Sequence, residues 1–204
     1  MRADTVVILD FETTGLSPEQ GDRAIEIGAV RLVNGVIKDQ FQALMDPGFR
    51  VTNFIENYTG ISNNMLSQAD SCQHVMSDFA DFIAGDNLIA HNACFDKRFL
   101  NAEFSRIGLQ YPGEFSCSLL LSRRIFQNAN SHKLGDLIQL ANIPSSGDFH
   151  RALYDAQMTS QLWLAMLKNI EACYGLSNLT FQQIQKICKT PKKSVNKLLQ
   201  SWAI

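Results

Sequence analysis

Asp10 and Glu12 stand two residues apart at the end of an apolar run, TVVILD, at residues 5–10. On a strand, residues two apart point to the same face, so the two carboxylates project together. Adjacent acids repel unless something positive lies between them. A divalent cation is the natural remedy, because hard cations prefer carboxylate oxygen. A third acid, Asp96, lies in HNACFDKRFL, where a turn at His91-Asn92 leads into the first turn of a helix. A fourth, Asp155, follows His150 in HRALYD. In a regular helix those two side chains would sit about 140° apart. They can share a site only if His150 lies on the loop-like stretch that begins at residue 143 and Asp155 on the helix after it.

Each feature also has an ordinary reading. Asp10 and Glu12 could be solvated beyond a strand end, and Asp96 could simply favour the helix dipole. His150 could be a surface histidine near a helix start.

The elements that must position these groups are legible in the periodicity. Residues 5–10 suit a strand buried on both faces. Residues 24–33 form a second strand, and Asn34-Gly35 turns the chain into a third that Asp46-Pro47-Gly48 ends. Residues 53–65 read as helix or loop. Helical spacing then predicts helices over 72–84 and 95–107, with a short buried strand at 87–90 between them. A further short strand at 115–118 leads into a helix reaching Ile125, and helices follow at 133–141 and 151–174. The order β-β-β-α-β-α-β-α-α predicts an α/β fold, a mixed five-stranded sheet flanked by helices. The reading divides the chain into a main domain, residues 1–174, and a short helical C-terminal appendage, residues 175–204. That appendage has five lysines and no acid. It suits a solvated cap on the main domain or a grip on a polyanion.

With 204 residues, 46% hydrophobic and 19% charged, the chain can bury a core unaided. No stretch approaches the roughly 18 apolar residues of a membrane span, and the N-terminus does not resemble a signal peptide. Five scattered cysteines without a C-x-x-C pair predict free thiols and a cytoplasmic setting. His91 and Cys94 make a single His-x-x-Cys pair, too little for zinc. A net charge of −2 supplies no global basic field, so a nucleic-acid partner would need a local patch or metal ions.

Taken together, ILDFETTGL, HNACFDKRFL and HRALYDA, with HKLGDLIQLANI between the last two, closely resemble the three motifs of the DEDDh 3′→5′ exonucleases. That group includes the proofreading subunit of bacterial DNA polymerase III and ribonuclease T. The resemblance covers roughly residues 4–170 and fills all five motif positions. It implies a ribonuclease-H-like fold holding two Mg²⁺ or Mn²⁺ ions on Asp10, Glu12, Asp96 and Asp155. His150 would be the general base, and the products nucleoside 5′-monophosphates. It also implies contacts to the terminal nucleotide from Thr13 and Leu16. Asn92 and Phe95 are further candidates for touching substrate, although a helix cap and a core aromatic are the blander roles. The expected substrate is the 3′ end of a nucleic acid, with single-stranded DNA preferred and a polymerase or other replication or repair partner. The alternatives are RNA 3′-end trimming and, from another class, an inactive nucleic-acid-binding scaffold.

Overall fold

In the computed structural model, which describes residues 1–145 and 150–203, a six-stranded sheet has the order β4-β3-β2-β1-β5-β6. Strand β1 (Val6–Thr13) pairs antiparallel with β2 (Ala24–Val33), and β2 with β3 (Val36–Asp46). On the other side, β5 (Leu88–Ala90) and β6 (Phe115–Cys117) run parallel to β1. Asn34 and Gly35 both take positive φ, 52° and 75°, as a tight hairpin turn requires. The mixed sheet flanked by helices agrees with expectation, but it carries six strands where five were expected. The extra one, β4 (Asp70–Ser71), pairs with the end of β3. Two exposed polar residues carry no alternation from which a strand could be read.

β1 is apolar on both faces because both are covered. Val7, Leu9 and Phe11 pack with Met76 and Phe79 of α3 (Cys72–Ile83) and Phe99 and Leu100 of α4 (Cys94–Arg106). Val6 and Ile8 pack with Leu162, Trp163 and Met166 of α7 (Ala152–Tyr174). Each such side chain, fully buried, contributes about 1.5–3 kcal/mol. Alternation then commits Asp10 and Glu12 to the α7 face.

Four short helices complete the frame. The short helix α1 (Asn53–Thr59) is capped by the Thr52 side chain, which accepts from Ile55 N. Its Ile55 packs in a small cluster with Ile25, Val51, Ile61 and Leu66. The one-turn helix α2 (Asn63–Leu66) follows, and α5 (Ser118–Ile125) and α6 (Leu134–Leu140) lead toward residue 145. Part of the loop expected before His150, residues 146–149, lies outside the described residues.

Beyond α7, α8 (Phe181–Lys189) and α9 (Val195–Trp202) bury Phe181, Ile184, Ile187, Val195 and Leu199 in the same cluster as Leu121 of α5 and Trp163 of α7. Thr180 opens α8 with a reciprocal cap involving Gln183. The segment is also tied to the N-terminus, where Ala3 N donates to Leu179 O at 2.8 Å and Phe181 N to Met1 O at 3.1 Å.

Candidate active site

The carboxyl ends of the parallel strands β1 and β5 lie side by side, and ligand sites in α/β sheets favour such ends. Asp10 and Glu12 come from β1, just before a register shift in its pairing with β2 at Glu12/Thr13. Asp96 comes from the first turn of α4 and accepts a hydrogen bond from Phe11 N at 3.3 Å. That bond ties the third acid to the strand carrying the first two.

Asp155 comes from the first turn of α7, and bare backbone lets that turn approach. Gly28 lies opposite Asp10 across the β1–β2 pair. A Cβ at Gly28 would stand 2.0 Å from Leu153 N, so only glycine admits the helix start. Glu26, fully buried on β2, fixes the same turn. It accepts from Ala152 N at 3.0 Å, from Arg151 Nη2 at 2.9 Å and from Gln42 Nε2 at 2.9 Å. A buried charge so paired holds geometry rather than adding much net stability.

His150 precedes the helix with φ at +72°, a conformation uncommon outside glycine. Its backbone N–H donates to Asp155 Oδ2 at 2.9 Å. The imidazole is exposed and lies against the Tyr58 ring, with centroids 4.5 Å apart. Tyr58 stacks in turn on Phe54, at 5.9 Å and 11° between planes. Glu12, His150 and Asp155 each offer a ligand atom within 4.8 Å of the others. Asp155 Oδ1 is buried and accepts no hydrogen bond among the described residues.

These residues open on a cavity of about 520 Å³ lined also by Asp10, Leu16, Phe54, Tyr58 and Phe95, with no lysine or arginine in its wall among the described residues. Thr13 is buried and donates its hydroxyl to Gly15 O at 2.6 Å, whereas Leu16 projects at 74% exposure. Phe95 sits half-buried against Phe99. Asn92 is exposed at the turn with φ at +71°, outside the cavity wall. His91 is spent structurally: its Nδ1 meets Ser118 Oγ at 2.9 Å and its Nε2 meets His132 O at 3.0 Å. Burial depresses its pKa to about 4.

Sequence reasoning missed Glu26, Phe54 and Tyr58. Nothing local marks Glu26, because its partner Arg151 is 125 residues away. Phe54 and Tyr58 are four apart on α1, a spacing that ordinarily signals a buried stripe.

Crowded carboxylates in poor solvation hold their protons. Burial, followed by the charges of Asp96, Asp155, Glu12 and Glu26, raises Asp10 well above the usual carboxylate range. Burial and then Asp155 push Glu12 up to about 8, against a lowering pull from Arg151. Burial lifts Asp96 to about 7 and Asp155 to about 6, each opposed by backbone hydrogen bonds. The orphaned Asp155 oxygen and this stored repulsion fit a site made to receive cations.

A pH dependence follows. Groups whose folded pKa is raised bind protons more tightly in the folded state, so their stability contribution is lost as pH rises through that value. His91 acts in the opposite sense, but its contribution is complete above about pH 6.5. In EDTA the melting temperature is therefore expected to fall between about pH 6.5 and 8. Excess Mg²⁺ should reverse the trend, since cations bind the ionised acids. A melting temperature that rises over this interval in EDTA would contradict the electrostatic picture.

Residues 7–163 match the RNase_T family, described as exonuclease. The chain is similar to the PolC-type DNA polymerase III of Caldanaerobacter subterraneus subsp. tengcongensis, 34% identical over 165 residues, covering 81% of this chain and 12% of that protein. The corresponding protein of Halalkalibacterium halodurans is 37% identical over 164 residues, covering 80% and 11%. The chain thus spans about 12% of the length of such relatives. Among solved structures it is similar to exonuclease X in complex with 5′ overhanging duplex DNA, with 26% identity, 89% of this chain and 98% of that chain covered, and a TM-score of 0.67. The nuclease domain of 3′hExo, a DEDDh family member bound to rAMP, shares the fold at 23% identity, 81% and 92% coverage and a TM-score of 0.70. Motifs, strand-end geometry and a match over most of the chain agree, and the chain belongs to the exonuclease family.

Proposed function

We propose that this chain is a divalent-metal-dependent 3′→5′ exonuclease that releases nucleoside 5′-monophosphates from single-stranded DNA ends. The observation that carries this reading is the anionic cup itself. Asp10, Glu12 and Asp155 line one cavity with His150, where no lysine or arginine stands among the described residues, and the charge of Asp96 reaches Asp10 from beside it. Once ionised, such a cup would repel a phosphodiester unless cations filled it.

Asp10, Glu12, Asp96 and Asp155 would hold two Mg²⁺ or Mn²⁺ ions. When bound, such ions supply charge that stabilises the attacking and leaving oxygens of an in-line displacement. His150 would take the proton from the attacking water, the role a positioned imidazole commonly fills in general base catalysis. The backbone of the Thr13–Leu16 turn would seat the terminal sugar, with the exposed Leu16 side chain against the last base. Phe95 offers a second apolar surface inside the cavity, and Asn92, on the turn three residues before it, would add a polar contact to substrate. Residues 1–174 would carry the chemistry, and residues 175–204 would cap them.

DNA is favoured because the curated relatives are DNA polymerases and the exonuclease X structure holds duplex DNA. Those relatives also support a replication or repair role beside a polymerase. Free cysteines at all five positions suit a cytoplasmic setting, and among the described residues no helix is long and apolar enough to cross a membrane.

The deciding experiment is a side-by-side digestion of 3′- and 5′-labelled single-stranded DNA, duplex DNA and RNA, with Mg²⁺ or EDTA. The expected result is Mg²⁺-dependent mononucleotide release from the 3′ label, fastest on single-stranded DNA. Preferential RNA digestion would transfer the reading to 3′-end trimming of RNA. Absence of cleavage on every strand would refute it.

A further inference from the structure

A second groove, about 550 Å³ in volume, runs between the start of α4, strand β6 and helix α8. Its floor includes Phe115, Ser116, Cys117 and Leu120, and Lys97 and Lys189 stand exposed along it. Among the described residues, Glu114 is the one acid in its lining. The groove and the catalytic cavity both border the start of α4, where Cys94 lines the groove and Phe95 lines the cavity.

The charge distribution says what could occupy it. The catalytic cavity is lined by Asp10, Glu12 and Asp155, whereas among the described residues the groove carries two lysines against one acid. An apolar floor flanked by ammonium groups suits a strand of nucleic acid, with bases on the floor and phosphates near the lysines. Lys189 belongs to α8, whose apolar side is buried in the core, so its place beside the groove is held by packing.

The geometry points to a second nucleic-acid contact: the groove between α4, β6 and α8 holds the part of a single strand that has not yet reached the catalytic cavity. On this reading residues 175–204 are both cap and grip, because α8 buries one side and lends Lys189 from the other. Lys186 and Lys192 do other work, over the Trp202 ring at 5.7 Å and on Gln127 O at 2.5 Å. The inference rests on the exonuclease reading and extends it to strand length.

Removing residues 175–204 would be a poor test, because it strips Phe181, Ile184, Ile187, Val195 and Leu199 from the core. The sharper experiment uses the full chain with the exposed pair neutralised, Lys97→Gln with Lys189→Gln. A second double variant, Lys38→Gln with Lys168→Gln, makes the same change of charge elsewhere. Binding of fluorescent oligothymidylates of about 20 and about 3 nucleotides is measured in Ca²⁺ over a series of salt concentrations. The groove pair should weaken binding of the long strand about tenfold and of the short one less than about twofold. The slope of log Kd against log salt for the long strand should drop by about 1.4, two contacts at about 0.7 each on a single strand. The control pair should leave the long strand's affinity within about twofold of the parent. Equal losses on long and short strands, an unchanged long-strand affinity, or the same loss in the control would each overturn the groove assignment. Were the parent to digest no strand at all, the exonuclease reading itself would fail, which is a separate result.

Discussion

Asp10→Asn is expected to lose at least about 10³-fold in Mg²⁺-dependent nuclease activity, roughly 4 kcal/mol of transition-state stabilisation. The side chain lies among four other acids and feels Asp96, Asp155, Glu12 and Glu26. Asparagine keeps its shape and removes its charge, which separates the electrostatic role from packing. The same change should leave the metal-free protein at least as stable near pH 8, because one member of a mutually repelling set is gone. The rise in melting temperature expected of the parent in Mg²⁺ should shrink or vanish. Loss of activity with lower metal-free stability would point to a folding defect. Full activity in this variant would remove the cation cup from the mechanism.

His150→Asn should lower kcat by about 10²–10⁴-fold, the usual contribution of a general base. Asparagine is chosen because it tolerates the +72° φ that His150 adopts, and because the backbone N–H to Asp155 survives the change. The half-saturating Mg²⁺ concentration separates two roles. A general base can be lost with that concentration nearly unchanged, and oligonucleotide affinity in Ca²⁺ should also stay within a few-fold. His150 also lies within ligand distance of Glu12 and Asp155. A large rise in the Mg²⁺ requirement would therefore make it a ligand instead. Activity close to the parent would deny it either role.

Much of this was readable from the chain because it is encoded over short distances. Alternation along β1 put Asp10 and Glu12 on one face, and structure shows that face turned toward α7. Helical periods predicted 72–84 and 95–107, close to the observed Cys72–Ile83 and Cys94–Arg106. The placing of His150 before a helix and Asp155 within it followed from turn residues and angle arithmetic alone. The helical character of residues 175–204 was visible as well, though not the surface they would cover.

Only the tertiary structure decided which of these groups meet. Asp96 reaches Phe11 across 85 residues and Arg151 reaches Glu26 across 125, and no local rule encodes such partners. The Tyr58 ring beside His150, and the α8 lysine beside a groove begun by α4, are products of packing. Strand β4 escaped because pairing with β3, not its own residue pattern, makes it a strand. Local sequence biases a residue's backbone and face. Proximity between distant residues exists only once the apolar layers close around the sheet, and that closure is what turns four separate acids into one site.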